Sequence, residues 1–176
     1  MNFQAGETRA NRVIVPVGSD GRINVYNARG ATHVLVDVVG WFTDASSTAG
    51  GATYVSMSAP TRISDSRTGG SAANTPWGPG VTKSIPVAGR LGVPGMTSAN
   101  PPVAIVGNLT ITRPTVGGYL IVFASGTRPL SSDINFAKGA TTANMILPQL
   151  ASNGSFAIYN VRGTVDVLVD VYGWFA

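Results

Sequence analysis

Two stretches of alternating apolar residues dominate the chain: THVLVDVVGWF at residues 32–42 and VDVLVDVYGWF at residues 165–175. A strand sends successive side chains to opposite faces, so each stretch divides into two sets. One set is Val34, Val36, Val38, Gly40 and Phe42, matched by Val167, Val169, Val171, Gly173 and Phe175. It is wholly apolar and is expected in a core. The other set is mixed: His33, Leu35, Asp37, Val39 and Trp41, matched by Asp166, Leu168, Asp170, Tyr172 and Trp174. A carboxylate between valines is costly if buried alone, so Asp37 and Asp170 must reach water, a backbone N–H, an arginine or a ligand.

The same reading predicts strands over residues 13–17, 22–27, 53–57, 82–87, 103–113 and 119–124, and residues 133–136 lead into a second half-unit. On 103–113, Val103, Ile105, Leu109 and Ile111 share one face, and Asn108, Thr110 and Thr112 share the other. Gly- and Pro-containing turns separate these runs. Residues 88–102 form a long Gly- and Pro-rich loop, a candidate contact loop. No stretch has helical periodicity.

The two long stretches belong to a larger repeat. Residues 2–30 align without a gap on residues 135–163, Asn2 falling on Asn135 and Trp41 on Trp174, a constant offset of 133 residues. About half of the aligned positions are identical, which marks a duplicated structural unit. The chain is therefore a half-unit at 1–49, a linker at 50–52 within the small-residue run TDASSTAGGA (43–52), and a complete unit at 53–176 made of a middle segment and a second half-unit; the alternative is that all of these parts close as one domain. The expected fold is all-β: a two-sheet antiparallel β-sandwich of about a dozen short strands with an internal half-unit repeat.

Composition supports that expectation. Charged residues are only 11% of the 176, while Gly (22) and Pro (11) are plentiful, as suits short strands and tight turns. The net charge of +4 comes from scattered arginines with no basic run, which argues against nucleic-acid recognition. No cysteine is present, so disulfides, thiolate metal sites and a Cys nucleophile are excluded. No apolar run approaches the ~18 residues of a membrane span.

The complete unit resembles a tandem module found in secreted and surface proteins of actinobacteria. The matching motifs are RISDSR (62–67), WGPG (77–80), VAG (87–89), GVP (92–94), GNLTIT (107–112), PT (114–115) with GYL (118–120), NF (135–136) with AN (143–144), YN (159–160) and VDVYG (169–173). The resemblance covers residues 54–175, and residues 1–49 look like the back half of a preceding unit. It implies secretion, with an extracellular or cell-surface location, repetition and attachment to surface or polymer-degrading proteins. It carries no catalytic motif.

The residues themselves offer little chemistry. The single histidine, His33, falls opposite Asp166 in the repeat, and no G-x-S-x-G elbow accompanies the many serines. The eight acids form no D-x-D-x-D cluster and no obvious general acid/base pair. No catalytic, cofactor or metal site is expected. Asp65 and Arg67 share one face of an extended chain, and with Trp77 they form a candidate loop contact.

Two readings stay open for the strand face that carries Asp37 and Trp41, and Asp170, Tyr172 and Trp174. A Trp ring beside a carboxylate can hold a sugar, the ring stacking on C–H groups and the acid accepting from hydroxyls. The same residues can instead plug the end of the sandwich and satisfy backbone groups. The functional expectation is a non-catalytic structural or adhesive module. It would assemble with copies of itself or with neighbouring repeat units by strand exchange. The alternative is a carbohydrate-binding module that takes a polysaccharide.

Overall fold

The structure is a computed structural model and describes residues 1–43, 48, 50–68 and 75–176. Residues 44–47 and 49 of the small-residue run at 43–52, and residues 71–74 of the loop at 71–80, lie outside the described residues.

Eight strands run in order: β1 (Tyr54–Asp65), β2 (Thr82–Pro86), β3 (Ala104–Thr112), β4 (Gly118–Phe123), β5 (Ile134–Phe136), β6 (Thr142–Ile146), β7 (Ser155–Asn160) and β8 (Asp166–Phe175). They form two four-stranded antiparallel sheets, ordered β1-β8-β3-β6 and β2-β7-β4-β5. The chain is all-β as expected, with no helix among the described residues. Among the described residues it has eight strands rather than about twelve.

Packing follows from alternation. In β3, Ile105, Gly107, Leu109 and Ile111 point inward while the residues between them are half-buried. In β8, Val167, Val169 and Val171 point inward too, until a register shift at Tyr172 reverses the faces, so that Trp174 rather than Gly173 pairs with the inward Ile105. β-Branched side chains fit these central strands, which are flanked by ladders on both sides. Ile85, Phe156, Ile158 and Leu120 close the core from the other sheet. Trp77, placed by the sequence in a loop, is wholly buried in this core. Its backbone exchanges two hydrogen bonds with Val165, at 2.8 and 3.1 Å.

β1 is longer than the 53–57 strand expected, because its irregularities hide it. It lies at a sheet edge, and its register against β8 shifts between Ser56 and Thr61 and between Arg62 and Ser64. Pro60 sits in the first of these gaps. Proline is tolerated on edge strands and at bulges, since its missing N–H removes no ladder bond there.

The ladders share one property. Divide the unit at the connection between β4 and β5, giving a front half (β1–β4) and a back half (β5–β8). In each sheet the two sets alternate. The ladders β1–β8, β2–β7, β3–β6, β3–β8, β4–β5 and β4–β7 each join a front strand to a back strand. No ladder among the described residues joins two strands of the same half.

This explains the missing strands. The sequence predicts strands over 13–17, 22–27 and 32–42, yet residues 1–43 contain none. Their sequence aligns with that of residues 135–176, whose strands pair only with those of β1–β4. The apolar set Val34, Val36, Val38 and Phe42, expected in a core, is exposed, whereas its counterparts Val167, Val169 and Val171 are wholly buried.

Candidate interaction site

The N-terminal segment carries an unpartnered apolar surface. Leu35 is 85% exposed and Trp41 78%, with Val13, Ile14, Val17, Val25 and Val38 exposed beside them in the chain. Its ladders are absent, but its turns are formed. Gly6, Gly21 and Gly30 take φ of 75°, 76° and 67°, and Gly139, Gly154 and Gly163, each 133 residues later, take 74°, 74° and 64°. Only glycine adopts such angles freely.

The hydrogen bonds of these turns match as well. Gly21 N–H donates to Gly18 O at 2.9 Å, as Gly154 does to Ala151 at 2.8 Å. Gly18 N–H donates to Arg22 O at 2.9 Å, as Ala151 does to Ser155 at 2.7 Å. Asn27 Nδ2 donates to Gly30 O at 2.9 Å, and Asn160 Nδ2 donates to Gly163 O at 2.9 Å. In the sandwich Asn160 is wholly buried, and its Nδ2 also reaches the carbonyls of Trp77 (3.1 Å) and Gly78 (3.0 Å). Side-chain amides that bond nearby backbone hold a turn without any ladder.

One polar anchor ties the segment to the sandwich. Arg12 Nη2 lies 2.6 Å from Asp133 Oδ1, both side chains being largely buried, and Arg12 N–H donates to Asn144 Oδ1 at 3.2 Å. Asn144 Nδ2 donates to Asp133 O, and Val122 N–H to Asp133 Oδ2, at 2.6 and 2.7 Å. Burial pushes the Asp133 carboxyl above the usual range, against the pull of the Val122 N–H and the Arg12 guanidinium. Sequence reasoning missed this pair. The placement of Asp133 just before the apolar run of β5 was the available signal for a buried acid. At the other end of the segment the Phe42 and Phe175 rings meet, with centroids 6.0 Å apart.

The other expected site residues fall in different surroundings. Asp37 is exposed like Trp41. Asp170 is engaged: Arg62 Nε donates to Oδ1 at 2.8 Å and Nη2 to Oδ2 at 3.1 Å. Tyr172 and Trp174 are half-buried, and Trp174 packs against the core. Asp65 accepts from Arg67 Nε at 3.0 Å and Nη2 at 2.8 Å, and lies 3.4 Å from Arg62 Nη1. Arg62 therefore links the acid of β8 to the acid that ends β1. Asp166, His33's counterpart, is buried and accepts from Ser66 Oγ and Arg113 Nε, both at 2.9 Å.

The Asp65 cluster has a pH signature. Hydrogen bonds from the Arg67 side chain first, and then from its backbone N–H, hold the Asp65 carboxyl down at about 2. A depressed acid stabilises the fold above its unfolded pKa, and that stability is lost as pH falls through the folded value. Thermal stability should therefore drop between about pH 4 and pH 2, by about 1–2 kcal/mol from this group after allowing for the half-exposed arginines. Asp65→Asn should remove that part of the acid dependence, as read by melting curves across the range. An unchanged acid limb would refute the assignment.

Among the described residues no three His, Cys, Asp or Glu side chains gather as a metal site. No helix among the described residues is long and apolar enough to cross a membrane. No family model matches the chain, and the comparison with curated proteins finds no match.

Proposed function

We propose that the chain is a non-catalytic structural and adhesive module of an extracellular or cell-surface protein, and that residues 1–49 are a donor half that completes other units by strand exchange. The observation that supports this reading most is the alternation of front and back strands in both sheets. A fold in which each half supplies only the other's partners is built for complementation between units. The chain carries one front half and two back-half sequences, so one back half is left over. The leftover half keeps its turns in the shape seen at 137–163, which lowers the ordering cost of pairing. Its partners are copies of the chain or neighbouring repeat units. The extracellular location rests on the family resemblance alone.

The carbohydrate-binding reading has weaker support. Asp170 already satisfies Arg62 with both oxygens, and Trp174 packs against the core. The polysaccharide face would then rest on Asp37 and Trp41.

Light scattering tests the assembly reading. The full chain is expected to form concentration-dependent oligomers, and a variant lacking residues 1–50, which keeps all eight strands, is expected to be monomeric. Monomers in both samples at high concentration would sink the assembly reading.

A further inference from the structure

We propose that residues 1–42 bind the front half, β1–β4, in the positions held here by residues 135–175, so that the two back halves compete for a single acceptor. The proposal rests on the reading of residues 1–49 as a donor half and goes further, naming the acceptor, the register and the residues that decide the competition.

Complementarity carries it. Shifted by 133 residues, the inward positions of the back half stay apolar: Val34, Val36 and Val38 stand for Val167, Val169 and Val171, Ile23 for Phe156, Val25 for Ile158 and Val13 for Ile146. Two positions that require a particular residue are kept. Asn27 stands for the buried Asn160. Gly40 stands for Gly173, where a Cβ would run into the backbone carbonyl of Val55 and the side chain of Tyr54. The matched φ angles and turn hydrogen bonds show that the copy already holds the local shape the acceptor requires.

Connectivity permits it. Thr53 and Ala176 exchange backbone hydrogen bonds at 2.8 and 3.1 Å, so the end of the bound back half touches the start of the front half. Thr43 is the counterpart of Ala176. With residues 1–42 in the slot, residues 44–52 need only close a loop between two neighbouring strands. The connection from β4 to β5, residues 124–133, is of similar length. The front half is thus flanked on both sides by a tethered back half, and the two closures are circular permutations of one sandwich.

Three positions tilt the competition toward the closure seen here. His33 stands for Asp166 and offers no carboxylate to Ser66 and Arg113. Arg22 stands for the buried Ser155, whose hydroxyl accepts from Ser84 Oγ at 3.0 Å. Ile23 fills less of the core than Phe156. The N-terminal half is therefore the minor occupant, and a substitution that cripples β8 raises its share.

The test uses the full chain, whose lack of cysteine makes introduced thiols unambiguous. Thr110 in β3 faces Leu168, and Leu35 is its counterpart in the N-terminal half. In a Val169→Asp background, Leu35→Cys with Thr110→Cys should form a disulfide under mild oxidation, identified by peptide mass. Its formation should be at least about tenfold faster than that of an off-register control, Val36→Cys with Thr110→Cys, because only the first pair shares a sheet face. Adding Val36→Asp to the Leu35→Cys/Thr110→Cys protein should slow its disulfide formation to the rate of the off-register control. Equal rates for the two pairs, or no disulfide in either, would overturn the proposal. The mass of the oxidised product separates the two readings: a disulfide within one monomeric chain would remove the assembly reading and leave this one, a disulfide only between chains would remove this one and leave assembly, and no preference would remove both.

Discussion

Replacing Leu109 by Asp is expected to abolish the folded sandwich, whereas Val36→Asp should leave its melting temperature unchanged to within about a degree or two. Leu109 is wholly buried at the centre of β3, paired with Asn144 of β6 on one side and Val169 of β8 on the other. The substitution removes a buried leucine, worth about 2–5 kcal/mol on truncation alone, and puts an unpaired carboxylate in its place. Together these approach the ~5–15 kcal/mol that holds a typical domain. The front half occurs once in the chain, so no second copy can replace it. Val36 is largely exposed and sits in no ladder, so a charge there stays hydrated. Thermal melts followed by circular dichroism would distinguish the two variants. A cooperative transition retained in Leu109→Asp would contradict the assignment of β3 as the central front strand.

The second large effect is expected at Trp77. Trp77→Ala should cost about 3–5 kcal/mol, the range for truncating a buried Trp or Phe. Besides its ring, the residue supplies the backbone bridge to Val165 and the carbonyl that accepts from Asn160. Trp77→Phe keeps most of the apolar volume and should cost less than half as much. Denaturant titration gives both values. A loss below about 1 kcal/mol for the alanine variant would mean that the ring is not part of the cooperative core.

The unevenness of what could be read from the sequence has physical causes. β3, β4 and β8 were legible because central strands in a sandwich show clean alternation or continuous apolar runs. β1 was legible only at its start, because an edge strand with bulges and Pro60 loses the period of two. The burial of Trp77 was hidden because its segment, between glycines and prolines, reads as loop, and no local pattern reports a contact with Val165. The N-terminal strands were the instructive failure. Residues 32–42 have the same strand-forming pattern as β8, yet strand formation requires a partner, and the sequence of one half does not contain it. Of the candidate site, the repeat located the unpaired segment. The engagement of Asp170 by Arg62 and the burial of Asp133 against Arg12 depend on contacts between residues more than 100 positions apart.

The adjacency of Thr53 and Ala176 also decides how the unit responds to force. If units are strung in series and pulled, the load enters at two residues already hydrogen-bonded to each other, at the open end of the β1–β8 ladder. It acts across that ladder and breaks one pair at a time, starting at Tyr54 and Phe175, instead of shearing the whole ladder at once. A chain of such units would yield early and lengthen stepwise under tension, behaving as an extensible tether; high-force, all-at-once rupture in single-molecule pulling through residues 53 and 176 would refute this.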